Sequence, residues 1–310
     1  MSVLGIDRVT YGVEDVGKCR KFFLDWGLRL VREADGALDF ETLNGCEVLV
    51  RPADDPKLPP AIEPGPTLRH VIWGVEDGKD LDRLRAQLGS AGHWDEGAAT
   101  LGTVDPNGLA LGFRVTRKRN IETRGIPMNA WGLPGREVNE RSKIYDHAEP
   151  VEVGHVVFFT DCLVELERFY VEKLGFCVSD RYPKSAVFLR CSPKGGHHDM
   201  FLLQPPVPKR GLNHVAFTVR DIHEVFGGGL HISQCGWETE LGPGRHPISS
   251  AYFWYVKNPA GALVEYYTDE DQLDAGWQPR DFTQSPDLFA EWAVIGGIDG
   301  QTRRAKAIPK

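Results

Sequence analysis

The sequence predicts an α+β protein of four βαβββ modules, paired into two domains that are each a curved mixed sheet enclosing a cavity, with helices outside. Internal similarities favour this fold. The segment 7–31 resembles 154–178, and 68–88 resembles 212–230. Each segment of the second pair leads into a Pro-x-Gly turn and a closing strand, at 104–115 and 257–268. Repetition of this kind indicates one supersecondary unit used several times.

The first segment pair predicts the elements of a module in order. Each segment begins with an alternating apolar strand, which passes through a short polar turn into an amphipathic helix. The helices end at Gly27 and Gly175, because glycine is the residue that most often follows a helix C-terminus. We expect the four modules near residues 5–50, 68–115, 153–204 and 211–268.

Two stretches outside the modules set the domain boundaries. The stretch 118–150 is rich in Arg, Asn, Gly and Pro and is long for a connection inside a compact domain. Its Trp131 and Tyr145 predict that it packs across the surface. The stretch after the fourth module has aromatic anchors and is expected to dock near a cavity mouth or a subunit contact. We therefore predict an N-terminal domain at 1–117, a linker at 118–150, a C-terminal domain at 151–270 and an extension at 271–310.

Composition narrows the class of protein. The 36 basic and 44 acidic residues give a net charge of −8 without a basic run, which argues against nucleic-acid binding by phosphate neutralisation. No apolar run approaches the roughly 18 residues that span a bilayer, and the N-terminus lacks a signal-peptide layout. The six cysteines form no CxxC pair and fit reduced thiols. We expect a cytoplasmic protein without nucleic-acid or membrane partners.

A ligand set for a metal stands in the second half of the chain. His155 and His214 take the same place in the first strands of modules three and four, and Glu265 closes module four. Either histidine alone is weak evidence, but a carboxylate inside the apolar run LVEYY needs a partner. First strands of paired modules lie side by side at the sheet centre, so the three side chains can converge. Two neutral imidazoles and one carboxylate suit Fe(II) or Mn(II), and zinc is chemically allowed.

The first half has no such set. Its equivalent places hold Arg8, His70 and Gly112. Arg8 would put a positive charge where the metal would lie, which opposes cation binding. The sequence therefore predicts one metal site, in the second half only.

A longer pattern surrounds the carboxylate ligand. It reads Gly244-Arg245-His246, a spacer, Trp254-Tyr255, two residues, Asn258-Pro259, Ala260-Gly261 and finally Glu265. In this pattern, and in its paired modules over about residues 5–270, the chain resembles the type I extradiol catechol dioxygenases of the vicinal oxygen chelate (glyoxalase/bleomycin resistance/dioxygenase) superfamily. Two positions depart from the family. Trp254 replaces a usual aliphatic or Phe, and Ser249 stands where many biphenyl-type relatives have Asp, so their substrate class is not carried over.

The resemblance implies an Fe(II)-dependent enzyme, with Mn(II) as the other candidate metal. Its substrates would be O2 and a small catechol-type aromatic diol, opened by meta cleavage in aromatic compound catabolism. By the same resemblance His198 is the acid–base residue beside dioxygen. Its neighbour His197 would point to the opposite face if this segment is a strand. His246 and Tyr255 would hydrogen-bond the substrate hydroxyls and a later anionic intermediate. The resemblance also implies a homo-oligomer.

Three alternatives stay open from the sequence. A hydroquinone-cleaving dioxygenase would share the triad and differ in pocket residues. Glyoxalases and metal-dependent thiol transferases often use a second Glu among the ligands, and a non-catalytic binding protein would need no metal. Arg245, beside His246, is the first candidate to meet a substrate carboxylate, although an exposed charge is the simpler interpretation.

Overall fold

The fold is known from a computed structural model that describes residues 3–95, 99–283, 285 and 288–298. Two mixed sheets account for most of it. The first has the strand order β2-β3-β4-β1-β5-β8-β7-β6. Its strands are β1 (Val3–Val13), β2 (Arg29–Ala34), β3 (Ala37–Glu41), β4 (Glu47–Pro52), β5 (Thr67–Val75), β6 (His93–Asp95), β7 (Thr100–Val104) and β8 (Ala110–Val115). Helices α1 (Val16–Asp25) and α2 (Gly78–Leu88) follow the first strand of each module, and a 3₁₀ turn at Gly89–Ala91 follows α2.

The second sheet repeats this plan and adds a strand at each edge. Its order is β17-β10-β11-β12-β9-β13-β16-β15-β14-β18. The strands are β9 (Glu152–Phe159), β10 (Cys177–Tyr182), β11 (Ala186–Arg190), β12 (Met200–Leu203), β13 (Gly211–Thr218), β14 (Thr239–Arg245), β15 (Tyr252–Lys257), β16 (Leu263–Thr268), β17 (Arg280–Asp281) and β18 (Trp292–Ile295). Helices α3 (Leu163–Arg168) and α4 (Ile222–Gln234) complete modules three and four.

The predicted fold class is confirmed, since each sheet consists of two paired βαβββ modules. First strands lie side by side at each sheet centre, as β1 with β5 and β9 with β13. Gly27 and Gly175 follow their helices with positive φ. The third helix differs from expectation, because α3 continues as a π-helical segment at Phe169–Lys173 before Gly175.

Close approach of a side chain explains one of the glycines inside α4. A Cβ on Gly229 would lie 2.1 Å from the indole of Trp254, which is fully buried. The indole nitrogen donates to the Thr239 hydroxyl at 2.9 Å. Trp254, the departure from the family pattern, therefore packs under the helix.

The two sheets contact each other through aromatic side chains. Trp26 follows α1 and stacks on Tyr266 of β16, with ring centroids 3.6 Å apart and an interplanar angle of 7°. The Tyr266 hydroxyl donates to the Trp26 carbonyl at 2.7 Å. The first half therefore supports the strand that holds Glu265.

The linker and the extension both contact the second half. Tyr145 donates its hydroxyl to Asp221 at 3.0 Å, but Trp131 is fully exposed, so the expectation that Trp131 packs on the surface is wrong. The extension adds β17 and β18 to the two edges of the second sheet. No helix among the described residues is both long and apolar enough to cross a membrane.

Candidate metal centre

Strand register places the predicted ligands in one row across the second sheet. His155 on β9 is paired with Ala216 on β13, Ala216 with Glu265 on β16, and Glu265 with Tyr255 on β15. Cross-strand partners share a face of the sheet, and so do residues two apart on one strand. His214, two residues before Ala216, therefore joins this row on the same face.

The three predicted ligands converge. Nε2 of His155 lies 3.2 Å from Nε2 of His214, and these atoms lie 3.2 and 3.1 Å from Oε2 of Glu265. All three side chains are buried. An octahedral face with bonds of about 2.2 Å has edges of about 3.1 Å, so the donor triangle matches a facial triad. These residues form a metal site.

The ligand atoms of the site are better placed to bind a cation than to hydrogen-bond to one another. Oε2 of Glu265 is buried and makes no hydrogen bond of satisfactory geometry, although two imidazole nitrogens lie within 3.2 Å. A buried carboxylate oxygen without a partner is costly, and a divalent cation would satisfy it. Nδ1 of His214 lies 2.6 Å from Oδ1 of Asn213, an outer partner that would fix the ring orientation of a ligand.

The protonation states suit metal binding. Burial lowers the pKa of His155 to about 4, so the imidazole is neutral at pH 7. Burial by itself would raise the pKa of Glu265, but the neighbouring imidazoles of His155, His214 and then His246 hold it well below its usual value. Metal ligands must be deprotonated, and neither group has to lose a proton near neutral pH.

The same register holds in the first sheet, with different residues. Arg8 is paired with Ile72, and Ile72 with Gly112, while His70 lies two residues before Ile72. The guanidinium of Arg8 pairs with Glu47 at 2.8 Å. Burial and then the Arg8 charge lower the pKa of His70 to about 4. The equivalence predicted from sequence is therefore seen in the strand pairing, and an arginine–glutamate ion pair lies at the corresponding place in the first half.

Tyr255 and His246 lie next to the ligands. The Tyr255 hydroxyl is 3.1 Å from Nε2 of His246, whose Nδ1 lies 2.6 Å from the carbonyl oxygen of Phe289. Because a carbonyl only accepts, Nδ1 of His246 holds a hydrogen, and in the neutral ring Nε2 accepts from Tyr255. Burial and then Glu265 raise the pKa of Tyr255 well above its usual value, so the phenol keeps its proton.

The neighbouring histidines His197 and His198 have different surroundings. The ring of His198 lines the cavity beside the ligands, with its centroid 4.2 Å from that of His155. Burial, followed by the electrostatic interaction with the ring of His155, lowers the pKa of His198 well below its usual value. His197 is fully buried behind it. The structure therefore sets His198 in the cavity wall, where the sequence predicts an acid–base residue.

The cavity over the triad has a volume of about 180 Å³. Apolar side chains make up much of its wall, and Ser249 also lines it. These apolar residues include Val157, Phe188, Phe201, Leu203, Ile248 and Phe289. Among the described residues no lysine or arginine lines it, and Arg245 pairs instead with Glu291. The extension contributes Leu288 and Phe289, so it docks at the cavity.

Sequence reasoning missed several residues of the site. Glu270 lines the cavity and accepts from the backbone N–H of His197 at 2.9 Å. Ala216, between two ligands in the register, had no signal because a small residue in a strand is ordinary. Asn213 adjoins His214, and a polar neighbour of a ligand could have been proposed as its partner.

Comparisons with known proteins agree with this site. Residues 152–266 match the sequence profile of the Glyoxalase/Bleomycin resistance protein/Dioxygenase superfamily. The Mn(II)-bound glyoxalase from Novosphingobium aromaticivorans has the same fold, with a TM-score of 0.73 and 23% identity over 99% of this chain and 96% of that one. At this identity the likeness concerns the fold alone.

Two curated relatives cover most of the chain. Metapyrocatechase 2 of Cupriavidus necator is 29% identical over 303 residues, covering 94% of this chain and 89% of the relative. The manganese-dependent 2,3-dihydroxybiphenyl 1,2-dioxygenase of Geobacillus genomosp. 3 is 23% identical, covering 72% and 75%. Over most of its length the chain is therefore similar to the type I extradiol dioxygenases. This similarity and the His-His-Glu metal site together support a ring-cleaving oxygenase and disfavour the interpretation as a non-catalytic binding protein.

Proposed function

We propose that this chain is an extradiol dioxygenase that uses Fe(II) to open an uncharged, apolar-substituted catechol by meta cleavage, inserting both atoms of O2. The observation that supports it most is the convergence of two neutral imidazoles and one carboxylate beneath an apolar cavity. The ligand side chains would occupy one face of the metal's coordination sphere. When bound, the metal would supply Lewis acidity toward the diol hydroxyls and redox activity toward dioxygen.

The surrounding residues would handle the protons of the reaction. Tyr255 and His246 form a hydrogen-bonded pair beside Glu265 that can receive the diol hydroxyls and then stabilise negative charge on the ring oxygens. His198, a neutral imidazole in the cavity wall, can accept a diol proton and return it later. The apolar wall limits access of water and strengthens these interactions.

The cavity supports a substrate class. In another protein, an engineered apolar cavity of about 150 Å³ is large enough to bind one benzene molecule. The present 180 Å³ therefore suits a single ring with a small substituent, while larger groups would have to extend to the mouth. Among the described lining residues there is no lysine or arginine to pair with a substrate carboxylate, which disfavours a carboxylated substrate. Because Arg245 is paired with Glu291 outside this wall, its candidacy as a carboxylate partner is not supported.

Metal identity and substrate can be tested together. Protein freed of metal would be reconstituted anaerobically with Fe(II) or Mn(II) and offered catechol, alkylcatechols, a carboxylated catechol and a hydroquinone. We expect Fe(II) protein to be the more active and to prefer the uncharged catechols. Mn(II) is the second candidate, because one relative and one structural neighbour are described as manganese proteins. Preference for the hydroquinone or the carboxylated diol would overturn this proposal. Cytoplasmic location and homo-oligomer assembly stay predictions.

A further inference from the structure

A chain of buried hydrogen bonds leads away from His198 to the edge of the sheet. Nδ1 of His198 lies 3.2 Å from Nδ1 of His197, and Nε2 of His197 lies 2.9 Å from Oδ2 of Asp180 on β10. Both His197 and Asp180 are fully buried. Arg280 of β17 donates to both carboxylate oxygens, at 2.6 and 3.1 Å. None of these partners is needed to build the metal site itself.

The direction of each hydrogen bond follows from the acceptor at the far end. Burial would raise the pKa of Asp180, but hydrogen bonds from His197 and Arg280 lower it, so the carboxylate is ionised and only accepts. Nε2 of His197 must then hold a hydrogen. In a neutral ring this leaves the lone pair on Nδ1, and this atom must accept from Nδ1–H of His198.

We infer that Asp180 and His197 are positioning residues that fix His198 in its Nδ1–H tautomer, leaving the lone pair on Nε2 to accept a proton in the cavity. The inference rests on the proposed role of His198. To act as a base, His198 needs Nε2 unprotonated. A buried hydrogen-bond partner at Nδ1 favours this tautomer more reliably than solvent does. Neither Asp180 nor His197 touches the substrate in this account.

Backbone hydrogen bonds fix the positions of the residues in this series. The amide N–H of His197 donates to Oε2 of Glu270 at 2.9 Å, and Asp180 is paired with Arg280 in parallel strands. Arg280 also packs over Trp277 and Phe282, at 4.6 and 5.1 Å from their ring centroids. The extension therefore takes part in setting the tautomer of a cavity residue, which gives it a role beyond covering the cavity.

The tautomer can be read directly in metal-free protein with 15N-labelled histidine. Long-range 1H–15N correlation spectra separate the Nδ1–H and Nε2–H forms, and His198→Asn identifies the signals of His198. We expect the Nδ1–H form in the unsubstituted protein and a mixture of forms in Asp180→Ala. A proton on Nε2 of His198 in the unsubstituted protein would overturn the inference, whatever the activity.

Kinetics of the metal-loaded enzyme provide the second measurement. Asp180→Ala should lower kcat about 10–100-fold, which is the usual size of the loss when an outer hydrogen-bond partner is removed. The KM for the diol and the metal content should stay unchanged. Asp180→Asn should restore part of kcat, because its amide oxygen still accepts from Nε2 of His197. Arg280→Ala leaves the Asp180–His197 hydrogen bond in place and should lower kcat by a smaller factor. This variant also tests the series of hydrogen bonds if Asp180→Ala does not fold.

A buried carboxylate elsewhere serves as the matched control. Asp105 is buried and accepts from the Tyr170 hydroxyl at 3.0 Å, and neither residue lines the cavity. Asp105→Asn should leave kcat and the His198 tautomer unchanged. Equal losses of kcat in Asp180→Ala and Asp105→Asn, or loss of metal in Asp180→Ala, would contradict a positioning role. If the unsubstituted enzyme oxidised no diol, the proposed function would fail while the spectra still tested the tautomer.

Discussion

Ala216 and Ile72 occupy the same register position in the two sheets, each between the strands that hold or would hold metal ligands. Ala216 is paired with His155 and Glu265, whereas Ile72 is paired with Arg8 and Gly112. Ile72 is large enough that a Cβ on Gly112 would lie 3.1 Å from its Cγ1. The first half therefore differs from the metal site in the space beside the ligands as well as in the ligands themselves.

Replacing Ala216 with Ile should abolish metal binding. The added carbons would occupy the space among the three ligand atoms, and overpacking of this kind also costs about 1–3 kcal/mol of stability. The measurement is metal content after anaerobic loading, beside Ala216→Gly as the control that keeps the space open. A full complement of metal in Ala216→Ile would show that the space is not required.

Replacing Glu265 with Ala should remove metal and activity together. Outer-partner substitutions at metal sites already cost about 10–100-fold in affinity, so loss of a ligand should weaken binding by more than that. Metal titration monitored by calorimetry measures the affinity, and Glu270→Gln, which alters a carboxylate in the wall, should retain the metal. Full activity in Glu265→Ala would refute the assignment of this ligand.

Replacing His198 with Asn should lower kcat without loss of metal. Proton transfer by a positioned side chain is worth about 10²–10⁴-fold, and Asn offers no base of comparable strength. Steady-state oxygen uptake measures kcat, with metal content determined on the same sample. The corresponding His223→Asn variant, at the start of α4, is the control and should behave like the unsubstituted enzyme. An unchanged kcat in His198→Asn would move the acid–base role to another residue.

Glu270 should make stability depend on pH. Burial, reinforced by Asp199, raises its pKa from 4.5 to about 8 in the folded protein. The folded state therefore binds this proton more tightly, and the associated stability is present below about pH 4.5 and is lost as pH rises through about 8. The Tm of metal-free protein minus that of Glu270→Gln should fall across this window. A difference that is constant or rises with pH would contradict the assignment.

The ligands could be predicted because each stands at a fixed place in a repeated unit. His155, His214 and Glu265 are recognisable once the modules are aligned, and the fold then brings their strands together. His198 and His197 could be told apart only by likeness to a family. Strand alternation and neighbours in the chain do not show which of the two meets Asp180.

The remaining parts of the site depend on contacts between distant segments. Two hydrogen bonds of the site join segments that are separated by loops. One links Nδ1 of His246 to the carbonyl oxygen of Phe289, and the other links the backbone N–H of His197 to Glu270. Hydrophobic periodicity predicts elements but not which loop reaches which cavity. Trp131 is a case in which the sequence misled: an aromatic residue in the linker predicted packing on the surface, but its side chain is fully exposed.

The central claim is that this chain opens a catechol with dioxygen at the His155–His214–Glu265 site. Oxygen uptake by protein loaded anaerobically with Fe(II), on addition of an uncharged alkylcatechol, tests it most directly. We predict uptake of one O2 per diol with formation of a coloured ring-opened product, and no uptake with Glu265→Ala. Absence of uptake with every diol, in protein that holds a full complement of metal, would contradict the account.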